Sequence, residues 1–260
     1  MLFRSSVYAA ATQASRSFTV YAGLVAPNIT LSASQGTYTY GLDVGTPYTV
    51  ANAGGPASGY GISPAIGAGL TFDTTTGEIT GSPTSTLAAT TYTVTATNAS
   101  GSSSATFQLS VQKASASVSL SGLTPTYTGS PLAVTATTNP VGLTVALTYN
   151  GSSTAPTNAG SYTVVATISN ANYSGTTTDT LVIGKATATV TLTNLTKAYT
   201  GSALSPTVST TPSSLTVQLT YDGSATTPTR AGSYTVQATV NDSNYNGSNS
   251  GTFSITAVTP

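Results

Sequence analysis

Cysteine, histidine and tryptophan do not occur in this chain of 260 residues, and Met1 is its only methionine. Without cysteine there is no disulfide framework and no thiolate chemistry. Without histidine the side chain most often used as a general base is missing. Charge is nearly as scarce: Asp, Glu, Lys and Arg make up 5% of the chain, against about 25% in an ordinary soluble domain. Six bases balance six acids, so no net field steers nucleic acid or an anionic lipid surface to this protein. No apolar run approaches the roughly 20 residues of a membrane-spanning helix. Residues 1–20 lack a Leu-rich core after Arg4 and do not read as a signal peptide. If the protein is exported, its signal is expected to lie outside this chain or to have been removed.

What is present points to strands. Thr, Ser, Asn and Gly fill most of the non-apolar positions, and β-branched Thr suits a pleated, half-exposed surface. Disorder goes with low hydrophobicity and high net charge, and a 38% hydrophobic, uncharged chain has neither.

An internal duplication organises the second half. Residues 113–184 align without gaps onto 185–256, a shift of 72 residues, with roughly half of the positions identical. Tyr127-Thr-Gly-Ser130 returns as Tyr199-Thr-Gly-Ser202, and Ala159-Gly-Ser-Tyr-Thr-Val164 as Ala231-Gly-Ser-Tyr-Thr-Val236. Asn172-Tyr-Ser-Gly175 returns as Asn244-Tyr-Asn-Gly247. Leu143, Val145, Leu147 and Tyr149 alternate with polar or small residues, the period of a strand with one buried face. Tyr162, Val164, Ala166 and Ile168 do the same, as do Tyr234, Val236, Ala238 and Val240. Asn150-Gly151 and Asp222-Gly223 are strong turn signals. Five or six short strands per unit and a small sandwich are expected. Tyr92-Thr-Val94, Tyr162-Thr-Val164 and Tyr234-Thr-Val236 match the tyrosine corner of immunoglobulin folds, with Val at the place often held by a Cys. The plain alternative is that Tyr-Thr-Val is simply a good strand sequence.

The residues from Gly59-Tyr-Gly-Ile-Ser63 through Glu78-Ile-Thr-Gly-Ser-Pro83 sit in a segment, 28–111, that resembles the immunoglobulin-like domain of bacterial surface proteins, related to cadherin-like modules. Residues 113–184 and 185–257 resemble the MBG-type repeats of large bacterial adhesins, through Tyr-Thr-Gly-Ser, Ala-Gly-Ser-Tyr-Thr-Val and Asn-Tyr-x-Gly in order. The resemblance implies an all-β fold, tandem immunoglobulin-like β-sandwich domains in an extended rod, and an exposed, repetitive cell-surface protein with no catalytic residues to transfer. The strand order of the shorter repeats stays open between a reduced sandwich and a β-grasp-like unit. The expected division is an N-terminal hairpin over 1–27, an immunoglobulin-like domain over 28–112, and MBG-type repeats over 113–184 and 185–260.

Residues 1–27 are too short for a domain. Ala11-Thr-Gln-Ala-Ser15 followed by Ser17-Phe-Thr-Val20 echoes Ala96-Thr-Asn-Ala-Ser100 followed by Thr106-Phe-Gln-Leu109, the closing strands of the first domain. Either this is the end of a preceding copy resting on its own neighbour, or the hairpin donates strands to another molecule.

Chemistry has little to work with. The carboxylates are Asp43, Asp73, Glu78, Asp179, Asp222 and Asp242. Asp73 and Glu78 bracket a Thr-rich turn but supply two ligands where calcium takes six to eight oxygens, and a turn-forming Asp is the simpler reading. Lys113 and Lys185 open their repeats and Asp179 lies near the end of one, an arrangement that admits an isopeptide bond; a solvated Lys at a junction is the ordinary case. Sequons such as Asn28-Ile-Thr30 and Asn172-Tyr-Ser174 are expected by chance in so Ser- and Thr-rich a chain. No catalytic residue, cofactor or metal site is expected, and no nucleic-acid partner. The expected partners are other copies or adjacent domains, with a glycan or host surface ligand as the alternative. The expected location is extracellular or at the cell surface, as a structural stalk or filament. A ligand-binding module and an accessory region of an extracellular enzyme are the competing readings.

Overall fold

The computed structural model describes residues 25–258, which form strands, turns and loops with no helix. The chain divides into two compact units, Met1–Gln112 and Lys113–Pro260. The hairpin expected over 1–27 lies almost wholly outside the described residues.

The first unit has eight strands: β1 (Ile29–Leu31), β2 (Gln35–Thr39), β3 (Val50–Asn52), β4 (Gly59–Ser63), β5 (Leu70–Phe72), β6 (Ile79–Gly81), β7 (Leu87–Asn98) and β8 (Gly101–Gln112). Its main sheet runs β2-β8-β7-β4, with β2 parallel to β8 and the other pairs antiparallel. β1 pairs with β3, and β5 with β6. Alternation builds the core, since Tyr92, Val94 and Ala96 on β7 and Phe107, Leu109 and Val111 on β8 are all buried. The Tyr48 ring packs on Phe107 with centroids 4.9 Å apart. Full burial of such side chains is worth about 1.5–3 kcal/mol each, and with no disulfide they supply the cohesion. The start of the domain is tied down by amides: Asn98 Nδ2 donates to the carbonyl of Val25 (2.7 Å), and Asn52 Oδ1 accepts from the N–H of Asn28 (2.9 Å).

The first repeat of the second unit contains β9 (Ala114–Ser115), β10 (Ser117–Ser121), β11 (Thr135–Asn139), β12 (Val145–Tyr149), β13 (Gly160–Ile168), β14 (Tyr173–Ser174) and β15 (Thr176–Ile183). The second contains β16 (Ala186–Thr187), β17 (Thr189–Thr193), β18 (Thr196–Ala198), β19 (Thr207–Thr211), β20 (Val217–Tyr221), β21 (Gly232–Val240), β22 (Tyr245–Asn246) and β23 (Ser248–Thr256). Each strand of the first repeat begins 72 residues before its counterpart. β18 has its equivalent in a single parallel bridge, Thr126 to Gly184, in the register that joins Ala198 to Thr256.

In repeat 2 the larger sheet runs β18-β23-β21-β20, and in repeat 1 β12-β13-β15. The β10-β11 pair, and β17-β19 in repeat 2, forms the facing layer. Val118 and Leu120 on β10 pack against Ala166 and Ile168 on β13. With no helix among the described residues, each repeat is a reduced sandwich and not a β-grasp unit. The strand count exceeds the expected five or six because two-residue strands, β9 with β14 and β16 with β22, pair in parallel. Gly175 and Gly247 explain their place in Asn-Tyr-x-Gly: a Cβ on either would overlap the carbonyl oxygen of Ala116 or Ala188 across this pairing.

Candidate functional site

Seven of the ten described charged side chains bond the backbone around them. Asp73 Oδ1 accepts from Thr75 N–H (2.7 Å), Thr75 Oγ1 (2.6 Å) and Thr76 N–H (3.3 Å). Those hydrogen bonds hold its carboxyl below the ordinary range and close the turn between β5 and β6. Glu78 stands on the other side of that turn, close enough to Tyr48 to reinforce the upward push that burial gives the phenol. Among the described residues no three His, Cys, Asp or Glu side chains cluster. Asp73 is a turn clamp in its geometry.

Asp43 Oδ1 accepts from Gly45 N–H (2.8 Å), Asp179 Oδ1 from Thr180 N–H (2.7 Å), and Asp222 Oδ1 from Thr235 N–H (2.8 Å). Asp242 Oδ1 accepts from Asn244 N–H (2.7 Å) and Tyr245 N–H (3.0 Å). Lys113 Nζ donates to the carbonyl of Asn170 (2.7 Å) and Lys185 Nζ to that of Asp242 (2.6 Å). The two lysines thus cap the turn ahead of each Asn-Tyr motif.

Tyrosine hydroxyls do similar work. Tyr162 donates to the carbonyl of Asn158 and Tyr234 to that of Arg230, both at 2.9 Å and both four residues back. This is the tyrosine-corner bond in each repeat. The Asn-Gly and Asp-Gly turns form as two-residue loops, with positive φ at Asn150, Gly151, Asp222 and Gly223, as a type I′ turn requires.

The most elaborate polar constellation lies where the two repeats meet. Asn244, in the turn before β22, and Tyr245, the first residue of β22, meet repeat 1. Asn244 Oδ1 accepts from the N–H of Ala159 (2.8 Å), and Asn244 Nδ2 donates to Asn158 Oδ1 (3.3 Å). The Tyr245 ring meets Tyr127 edge-on, with centroids 5.3 Å apart. The two repeats are joined in this constellation through donors, acceptors and aromatic edges. Sequence reasoning singled out every one of its motifs, Tyr-Thr-Gly-Ser, Ala-Gly-Ser-Tyr and Asn-Tyr-x-Gly, without joining them.

Two family models match this architecture. The family model described as "MBG domain" matches residues 116–187 and again 188–259, together more than half of the chain. The model described as "Putative Ig domain" matches residues 17–112. No curated protein matches the sequence. Among solved structures, an I-band fragment of titin is 17% identical, with 90% of this chain and 99% of that chain covered and a TM-score of 0.33. The first two cadherin repeats of human protocadherin-24 are 11% identical over 62% of this chain and 99% of that one, with a TM-score of 0.32. The N-terminal eight Ig domains of Down Syndrome Cell Adhesion Molecule are 13% identical over 89% and 36%, with a TM-score of 0.34.

Proposed function

This chain belongs to the MBG-domain family, its two MBG repeats following an immunoglobulin-like domain, and from that membership we propose that it is a non-enzymatic structural repeat region of a bacterial extracellular adhesin or filament. The observation that carries this reading is the use made of charge. Five of the six carboxylates accept backbone N–H bonds, and both repeat-opening lysines cap backbone carbonyls. A catalytic or ligand-binding site needs polar groups aimed at a shared space. Here they are aimed at turns and at the neighbouring repeat. Stability that depends on neighbour contact is the property of a linear array, and it suits a spacer that holds something else away from a surface.

Labelling of intact source cells with antibody against the folded chain tests the location. Surface signal without permeabilisation is expected; signal that appears only after permeabilisation overturns the proposal. The finer idea of self-assembly by strand donation is supported by the echo of residues 96–109 in residues 11–20. Deleting residues 1–22 is expected to lower the assembly state seen by light scattering, and an unchanged assembly sinks it.

A further inference from the structure

A shallow groove of about 460 Å³ on repeat 2 is lined by Tyr199, Arg230, Ala231, Ala257 and Val258. Moved back by 72 residues, these positions are Tyr127, Asn158, Ala159, Lys185 and Ala186, the residues that receive the Asn244-Tyr245 turn on repeat 1. There Tyr127 meets Tyr245, Ala159 and Asn158 bond the Asn244 side chain, and Ala186 N–H donates to the Asn244 carbonyl (2.9 Å). On repeat 2 no described residue covers the same face. Tyr199 is 42% exposed and Val258 64%, and among the described residues nothing accepts from Ala231 N–H.

Two of the five positions change the chemistry: Ala257 stands where Lys185 caps the Asp242 carbonyl of the docking turn, and Arg230 stands where Asn158 does. Asn158 presents an oxygen to the amide of Asn244, whereas Arg230 offers donors only. An Asn in the docking turn would accept from Ala231 N–H and then set its own NH2 against the guanidinium. An Asp would accept from both, with a charge-assisted bond to Arg230. We propose that this face of repeat 2 is the docking surface for the tyrosine-bearing turn of a further repeat of the same fold joined in series, with Asp preferred at the place Asn244 holds in repeat 2. The inference stands on the equivalence between the repeats and not on the cellular location proposed above.

The test extends the full chain by a second copy of residues 187–258 placed directly after Val258, with the copy of Asn244 kept as Asn or changed to Asp. Amide hydrogen exchange reports on the interface: Ala231 N–H is expected to slow by about tenfold or more with the Asp turn, and by less with the Asn turn. In the Arg230→Asn background the order should reverse, because position 230 then presents to the docking turn the oxygen that Asn158 presents in repeat 1. An Ala231 amide that exchanges equally fast in both extended chains, while the appended core strands are protected, overturns the proposal. Failure of the appended repeat to fold in both forms overturns it too, since a receiving face should support the repeat it receives.

Discussion

The two repeats share seven strands at a fixed spacing, the eighth, β18, being a single bridge in repeat 1, yet they bury the same tyrosine in different states. In repeat 1 the Tyr149 hydroxyl accepts from the N–H of Val134 at 3.1 Å. In repeat 2 the equivalent Tyr221 is equally buried, at 4% exposure, but Pro206 stands where Val134 does and has no N–H to give. The Tyr221 hydroxyl is left without a hydrogen-bond partner, and burial pushes its pKa up. Ser205, which replaces Ala133, is near enough to oppose that shift but falls short of hydrogen-bond geometry. A single loss of a backbone donor is thus tolerated within a duplicated fold. The lesson is that identical topology does not imply identical polar satisfaction.

The largest expected effect should be the same in both repeats. Gly175→Ala and Gly247→Ala each drive a Cβ into a backbone carbonyl, and backbone cannot step aside as a flexible side chain can. Each should cost about 3 kcal/mol, the upper range for overpacking. Tandem domains need not unfold in one step, so hydrogen exchange at Val164 and Val236 separates the repeats. A cost confined to one repeat would break the equivalence drawn between them.

The tyrosines should divide the repeats. Tyr149→Phe strands a buried N–H at Val134 and should cost about 2 kcal/mol, whereas Tyr221→Phe removes an unpartnered hydroxyl and should be near neutral or stabilising. The same exchange measurement reads both. Equal losses would show that Tyr221 has a partner, most simply the Ser205 hydroxyl beside it. Pro206→Val sharpens the point by restoring a donor. In that background Tyr221→Phe should become destabilising, with a coupling of about 1–2 kcal/mol in a double-mutant cycle.

Much of the fold was legible because its signals are local. The alternation from Tyr162 to Ile168 reads directly as β13, and Asn150-Gly151 as the turn after β12. The candidate site was less legible because its bonds join residues 85 and 86 positions apart. Nothing in Ala159 or Asn244 alone says that they meet. The parallel pairing of β9 with β14 was hidden for the same reason, although Gly175 marks it. The consequence of Val134 becoming Pro206 was visible as a substitution but had no meaning until the hydroxyl of Tyr149 was placed beside it.

The smallest expected effect returns to a motif whose meaning the sequence left open. If Tyr-Thr-Val were only a good strand sequence, Tyr162→Phe and Tyr234→Phe would keep most of the ring's packing and change little. The hydroxyls instead donate to carbonyls four residues back, fixing how the chain enters β13 and β21. Each substitution should therefore cost about 1 kcal/mol, the net worth of an ordinary hydrogen bond. The two sites differ in what lies beside the corner. The carbonyl at Asn158 belongs to a residue engaged by Asn244, so Tyr162→Phe should also speed exchange of the Ala159 amide. Tyr234→Phe has no such neighbour to disturb and should leave that amide unchanged. Equal effects of the two substitutions on Ala159 would separate the corner from the junction, and would make the corner a strand-entry device alone.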